Sequence, residues 1–254
     1  MIPLKDNIAT RTTPYLTIGL IVINVLVYFF VQHAGIFHGP SDNSVVKYGL
    51  IPYEVSHPGK HCALDPSGAV LCEGQPGVSG NAPSQPNTYL TLFTSLFMHG
   101  GLLHIAGNML FLWIFGNNIE DSMKKWKFVI FYLAAGVVAG LAQVAVSPDS
   151  TSPGVGASGA IAGVLGAYAL LYPRARVVTA VILIFFITLI ELPALAVLGF
   201  WFLLQVLDAS FQPLNGGGVA YFAHIGGFVF GLVLIKLFAD RPQSDYFQPR
   251  FPVY

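Results

Sequence analysis

Six apolar stretches constrain what this chain can fold into, because a transmembrane helix takes about 20 predominantly apolar residues. Only 9% of the 254 residues are charged, against roughly 25% in a typical soluble domain. Charges inside a bilayer cost free energy, so the low charge fits a chain that lies mostly in lipid. The pattern predicts an all-α polytopic membrane protein without a large soluble domain. The stretches lie at about 15–33, 92–116, 127–147, 157–172, 177–211 and 219–238.

The stretch at 177–211 allows two interpretations, since Pro193 divides it. It holds either one span with an interfacial piece or two short spans. Lysine and arginine are enriched in cytoplasmic loops, and their positions favour one crossing. With six spans in total, ten of the twelve Lys and Arg residues fall on one side, and only Lys47 and Lys60 fall on the other. This count predicts six transmembrane helices with both termini in the cytoplasm.

The spans divide the chain into three parts. We expect residues 1–14 to be a cytoplasmic N-terminal segment, residues 15–238 a six-helix membrane domain, and residues 239–254 a cytoplasmic tail. The first span is longer than the signal-peptide core of roughly 7–15 residues, so we expect it to be retained. The net charge of +0 gives no indication of a nucleic-acid partner.

The predicted outer loop, residues 34–91, is rich in Gly, Pro, Ser and Asn and contains both cysteines of the chain. Cys62 and Cys72 would face an oxidising compartment. This location favours a disulfide between them over two free thiols.

The sequence Gly154-Val155-Gly156-Ala157-Ser158-Gly159 stands where the fourth stretch begins. Small neighbours leave the Ser158 hydroxyl accessible, and a helix N-terminus offers free backbone N–H groups that suit a developing oxyanion. The alternative is simple helix packing, because small residues let membrane helices approach closely. The small-residue face in question comprises Gly156, Gly159, Gly163 and Gly166.

A histidine lies in the first third of the last stretch. His224 shares a helical face with Gly227 and Gly231, so a neighbouring helix could come very close to its ring. Histidines inside membranes are costly and are functional candidates by default. A buried structural histidine bonded to a carbonyl oxygen is the alternative.

His99, His104 and Asn108 fall in the second stretch. His104 and Asn108 are four residues apart, so they share one helical face, and each can donate a hydrogen bond to an anionic oxygen. Histidines can also bind zinc, but this stretch offers no acidic or cysteine ligand beside them. We therefore expect no metal.

Ser158 and His224 both lie near the N-terminal ends of their spans. They can meet only if both spans enter from the same side, which requires an odd number of crossings between them. One crossing within 177–211 satisfies this condition, in agreement with the charge count. A nucleophile, a base and oxyanion donors at one depth form the minimal set for acyl transfer. No acidic residue is evident near His224, so we expect a dyad.

These residues, together with Gly156-Ala157-Ser158-Gly159 and Ala223-His224, resemble the motifs of the rhomboid family of intramembrane serine proteases. The resemblance covers about 92–238. It implies a six-helix core, no metal and no cofactor, and transmembrane-helix substrates cut near their outer ends. It implies that Ser158 is the nucleophile, that His224 is the base, that His104, Asn108 and Gly156 form the oxyanion hole, and that His99, Gly159 and Gly227 support the site.

Two features depart from the family pattern. Many members carry a Trp-Arg pair in the first loop, and residues 34–91 contain none. Some members place a tyrosine four residues after the nucleophile, where this chain has Ala162. We therefore expect the His224 ring to be held by other contacts, such as Tyr221 or Phe222.

The resemblance leads us to expect an integral protein of a bacterial plasma membrane, with its active site open to the outer face. A non-catalytic binder or chaperone of membrane proteins with the same fold is the alternative function. A transporter that relays protons through His99, His104 and His224 ranks lower, because no internal repeat is apparent.

Overall fold

The computed structural model describes residues 2–82, 86–183, 186–211 and 219–240. The predicted tail thus lies outside the described residues, apart from 239 and 240. Within these ranges the strands are β1 (Ile2–Asp6), β2 (Cys62–Leu64), β3 (Val70–Cys72), β4 (Arg176–Leu183) and β5 (Phe186–Pro193). The helices are α1 (Tyr15–Leu26), α2 (Asp42–Tyr48), α3 (Pro52–Ser56), α4 (Thr91–Thr94), α5 (Leu102–Phe111), α6 (Asn117–Asp121), α7 (Lys125–Val146), α8 (Ser158–Leu171), α9 (Ala194–Phe211) and α10 (Tyr221–Phe238).

Four of the described helices are long and apolar enough to cross a membrane. They are the continuous helix Leu102–Asp121, which joins α5 to α6 through a π-helical turn, and α7, α9 and α10. The prediction of a helical polytopic membrane protein is therefore confirmed. The first and fourth predicted spans form shorter apolar helices, Tyr15–Val31 and Ser158–Leu171. The count of six crossings thus stays a prediction.

The predicted second span, 92–116, is wrong at both ends. The spanning helix begins at Leu102 and ends at Asp121, and residues 88–97 form a separate run of short helical turns around α4. Gly100 and Gly101 separate the two, since glycine is a weak helix former. His99 therefore lies before the spanning helix and not within it.

The all-α prediction is also incomplete, because the described residues contain two antiparallel sheets. One is a three-stranded sheet in the order β1-β4-β5, and the other is the β2-β3 hairpin. In the first half of the ambiguous 177–211 stretch, strands β4 and β5 pair antiparallel, and the helix α9 begins directly after Pro193. The many β-branched residues of β4 and β5 fit a pleated surface. The larger sheet lies beyond the end of α8 remote from Ser158.

Helix α8 lies at the centre of the helices, and nearly all of its residues are buried. It packs against α7 and α10 through glycines that bring backbones into contact. A Cβ atom on Gly231 would overlap the carbonyl oxygen of Gly163, and one on Gly227 would overlap that of Gly159. A Cβ atom on Gly163 would lie 2.6 Å from Cβ of Ala135 in α7. The small-residue face expected from the sequence therefore does pack closely.

The described residues of the predicted outer loop form a small folded unit. Its core joins α2, α3 and the β2-β3 hairpin, which contains a disulfide between Cys62 and Cys72. The carboxylate of Glu54 accepts a hydrogen bond from the Cys62 N–H at 2.7 Å. Burial is the main cause that raises the pKa of Glu54. The unit also touches the loop before Ser158, as described below.

The N-terminal segment is packed against the helices. β1 pairs with β4, and Asp6 accepts hydrogen bonds from the Asn118 amide at 2.6 Å and the Tyr168 hydroxyl at 2.5 Å. The buried carboxylate of Glu120 accepts from the Leu16 and Thr17 N–H groups at the start of α1. These N–H groups have no partner inside the helix, so Glu120 caps α1 from outside.

Candidate active site

Ser158 and His224 meet in the structure. Ser158 is the first residue of α8 and His224 is the fourth residue of α10, and the Ser158 Oγ lies 2.8 Å from the His224 Nε2. The glycine contacts between α8 and α10 bring these helix starts together. A serine hydroxyl hydrogen-bonded to an imidazole nitrogen is the arrangement in which a base can activate a nucleophile.

Backbone hydrogen bonds hold the loop before Ser158. Leu50 and Gly154 exchange two such bonds, at 2.9 and 2.8 Å, which tie this loop to the outer loop. The Gly156 N–H donates to the Ser95 carbonyl at 2.9 Å. Gly156 was expected to contribute to an oxyanion hole, but its N–H is already engaged by this bond. The Ser158 N–H, at the first position of α8, has no acceptor within its helix.

Gly156 provides space beside the Ser158 hydroxyl. Its φ of +129° is one that residues with a side chain rarely adopt. A Cβ atom here would lie 2.8 Å from His104 Nε2 and 3.4 Å from Ser158 Oγ. The His104 ring and the Ser158 hydroxyl therefore border the same small volume next to Gly156. The other nitrogen of His104 accepts from the Gly100 N–H at 3.2 Å.

Asn108 follows His104 by one helical turn on α5 and is buried. Its Nδ2 has no hydrogen-bond partner among the described residues. Buried polar groups are normally paired, so this amide donor is available to an acceptor that the protein itself does not supply.

His99 packs its ring against that of His104, with the ring centroids 5.2 Å apart. Its backbone N–H and C=O are both bonded to the Gln32 side chain at 2.8 Å. Gln32 thus fixes the segment that leads into α5. The sequence analysis missed Gln32, although an amide at the end of an apolar stretch was a usable signal.

Helix α9 supplies contacts to His224 that the sequence analysis also missed. The His224 Nδ1 lies 2.6 Å from Oε1 of Gln205, which is itself buried. The Trp201 ring lies 5.8 Å from the imidazole, between centroids. Tyr221, which was expected to hold this ring, lies edge-on at 6.5 Å. Gln205 is the sole amide side chain of α9, so its isolation in an apolar helix could have identified it.

A cavity of about 80 Å³ opens beside Ser158. Residues of α7, of the loop before Ser158 and of the start of α10 line the cavity. Many of these lining residues are glycine or alanine. Among the described residues, no group of three or more His, Cys, Asp or Glu side chains could hold a metal ion. The polar side chains that line the cavity are those of Ser95, Gln143, Ser150, Ser152 and Ser158. The small lining residues include Gly136, Gly140, Gly159, Ala220 and Ala223.

Comparison with known proteins identifies the family. A model of the Rhomboid domain matches residues 86–241. The chain is 37% identical over 91 residues to the Rhomboid protease GluP of Bacillus subtilis, covering 36% of this chain and 17% of the relative. It is 32% identical over 143 residues to the mitochondrial Presenilin-associated rhomboid-like protein of Mus musculus, covering 56% and 36%. It is 26% identical over 242 residues to the mitochondrial RHOMBOID-like protein 6 of Arabidopsis thaliana, covering 93% and 73%.

These relatives bound what can be transferred to this chain. It spans well under half the length of the first two. One relative is a bacterial protein, and others are named as mitochondrial, so their names do not support a bacterial plasma membrane over another membrane. The family match covers more than half of the chain and contains Ser158, His224 and the α5 residues. The chain therefore belongs to the Rhomboid family, and the resemblance inferred from its motifs is confirmed.

Proposed function

We propose that this protein is a serine endopeptidase that cleaves membrane-protein substrates, with Ser158 as nucleophile and His224 as base. The observation that carries the proposal is the 2.8 Å contact between Ser158 Oγ and His224 Nε2, buried among apolar helices. Membership of a family in which a bacterial relative is named a protease adds to it. A protein that only binds membrane helices would need neither side chain.

The reaction follows from this pair. His224 Nε2 takes the hydroxyl proton as Ser158 Oγ attacks the substrate carbonyl carbon. The C–N bond then breaks, and the imidazolium gives its proton to the leaving amine. Water next attacks the resulting ester carbonyl and loses a proton to His224. The bond to Oγ then breaks, and Ser158 regains its proton.

Three donors suit the oxyanion that forms during both attacks. They are the Ser158 N–H, the unpaired Nδ2 of Asn108 and the His104 ring beside Gly156. In this proposal Gly156 contributes space instead of a donor, because its N–H is bonded to Ser95. His99, Gly159 and Gly227 keep the supporting roles expected of them, by packing the His104 ring and the α8–α10 contact.

We also propose six crossings, with α1 and α8 as the two short ones and with the site in the outer half of the membrane. Ser158, His224 and His104 all lie at the N-terminal starts of α8, α10 and α5, so these three helices would enter from one side. Most Lys and Arg residues lie beyond the opposite ends, which favours the cytoplasm there. Substrates would be transmembrane helices cut near their outer ends.

The test uses the purified 254-residue protein with single-span membrane substrates and a fluorophosphonate probe, which labels activated serines. We expect labelling and cleavage by the wild type. Ser158→Ala should abolish labelling and lower turnover by at least about 10⁴-fold, because the nucleophile is removed. His224→Ala should weaken both.

Folding of each variant is checked by gel filtration and thermal unfolding. Wild-type protein that neither reacts with the probe nor cuts any substrate would sink the protease proposal. Substrate capture that survives Ser158→Ala without any cleavage by the wild type would instead favour a binder or chaperone.

A further inference from the structure

His224 contacts Gln205 through the ring nitrogen that does not face Ser158. We propose that Gln205 is a positioning residue, which fixes the tautomer and orientation of His224 so that Nε2 is the basic nitrogen facing Ser158. This inference rests on the proposed protease function.

The two nitrogens of the His224 ring have different hydrogen-bond roles. A neutral imidazole carries one N–H, and its other nitrogen accepts. Ser158 must donate its hydroxyl proton toward Nε2 at 2.8 Å, so the ring proton belongs on Nδ1. Oε1 of Gln205, 2.6 Å from Nδ1, is the acceptor for that proton. The hydrogen bond that Nδ1 makes thus determines that Nε2 is the unprotonated nitrogen.

The orientation of the His224 ring is fixed from two sides. Gln205 comes from α9 while Ser158 comes from α8, so His224 is held from two sides by two different helices. Trp201, one turn before Gln205, places its ring beside the imidazole as well. Rotation of the His224 ring would break both hydrogen bonds at once. The imidazole is therefore held in the geometry that proton transfer requires.

The side chain of Gln205 is an uncharged amide. Serine proteases commonly use a carboxylate at this position, which orients the ring and stabilises the imidazolium. Gln205 and His224 are both buried in apolar surroundings, where a permanent carboxylate would be costly. An amide oxygen keeps the acceptor and the orientation without a full charge. It remains bonded to the Nδ1–H when Nε2 gains the proton from Ser158.

The experiment compares Gln205→Leu, which removes the acceptor, with Gln205→Glu, which keeps an oxygen there. Ser210→Ala is the matched control, because Ser210 is a polar residue of α9 whose hydroxyl donates to Val206 within the helix. Each variant is purified in detergent and assayed with fluorophosphonate, which reports serine activation, and with a single-span substrate, which gives kcat and KM.

We expect Gln205→Leu to lower both kcat and the labelling rate by about 10- to 100-fold with KM little changed, the loss typical of a misplaced general base. Gln205→Glu should recover most of the labelling rate, and Ser210→Ala should match the wild type. In a His224→Ala background, Gln205→Leu should have no further effect, since it acts only through His224.

Two outcomes would overturn the inference while leaving the protease proposal intact. One is a Gln205→Leu protein that labels and cleaves like the wild type. The other is an equal loss of activity in Gln205→Leu and Gln205→Glu, because an oxygen at this position would then make no difference to the imidazole. Failure of the wild type itself to label and cleave would count against the proposed function instead.

Discussion

At the residue scale, the unpaired Asn108 amide is the clearest conflict between stability and function. A buried donor without an acceptor costs about 1–3 kcal/mol, and Asn108 Nδ2 has no partner among the described residues. Strained or unsatisfied groups persist in active sites when they serve the reaction. An oxyanion would supply the acceptor that the resting protein lacks.

Asn108→Leu should therefore separate activity from stability. Leucine has a similar size and no polar atom, so it removes both the oxyanion donor and the unsatisfied group. We expect kcat to fall by about 10²- to 10³-fold, while the unfolding temperature stays equal or rises. The control is Met109→Leu, the adjacent apolar residue, which should change neither quantity much. Parallel loss of activity and stability in Asn108→Leu would contradict the oxyanion role.

From the sequence we named the residues of the proposed dyad and oxyanion hole, but not the residues that contact them. Ser158, His104, Asn108 and His224 were all named from residue type and helical position. Gln205 and Gln32 were not, because their importance depends on which helix lies beside them, and that information is absent from one-dimensional spacing. Gly156 was named for a donor, whereas its backbone bond to Ser95 appears only when the chain is folded.

At the scale of elements, the three-stranded sheet has a titratable group where its edge strand ends. Asp6 closes β1 and is buried against Asn118 and Tyr168. Burial raises the pKa of Asp6 to about 6 from 3.8, and the hydrogen bond from Tyr168 offsets part of that effect. Because the folded state holds the proton more tightly, stability is greatest below the unfolded pKa and falls as pH rises through 6.

Asp6→Asn should remove this pH dependence, since an amide oxygen can accept the same hydrogen bonds without ionising. Between about pH 4 and pH 7, we expect the wild type to lose on the order of 3 kcal/mol relative to this variant. Thermal unfolding in detergent across that range measures it. Asp65→Asn is the control: hydrogen bonds, first from Ser67, lower the pKa of the exposed Asp65 carboxyl, so its small effect should have the opposite sign. Parallel curves for the wild type and Asp6→Asn would refute the assignment.

Strands β4 and β5 show the limit of hydrophobic periodicity as a guide to secondary structure. An unbroken apolar run fits a membrane helix, a buried helix or a buried strand equally well. Strands β4 and β5 pair with each other, and β4 also pairs with β1, Ile2–Asp6, which is distant in the sequence. Pairing between distant segments cannot be read from local composition. The helices α7 and α10 needed no such partner and were predicted closely, whereas the sequence predicted one crossing within 177–211 without the bounds of α9.

At the scale of the whole molecule, the distance between Ser158 and His224 depends on how closely α8 and α10 approach. Ser158 and His224 each extend from the start of one of these helices. The backbones of α8 and α10 touch at glycines along the rest of the interface. Without a hydrophobic driving force between helices in lipid, such close packing supplies much of the association. We therefore expect the same glycines to affect both stability and the distance between Ser158 and His224.

Gly231→Ala should disturb the site from a distance. The added methyl group would overlap the carbonyl oxygen of Gly163, a backbone atom that cannot rotate away, so α10 must move off α8. Overpacking of this kind costs about 1–3 kcal/mol. We expect a lower unfolding temperature and at least about tenfold slower fluorophosphonate labelling, because small displacements of a general base are costly. Gly199→Ala, on α9 with no neighbour within 4 Å of the added Cβ, should keep full labelling. If Gly231→Ala labelled as fast as Gly199→Ala, the α8–α10 contact would not determine the geometry of the dyad.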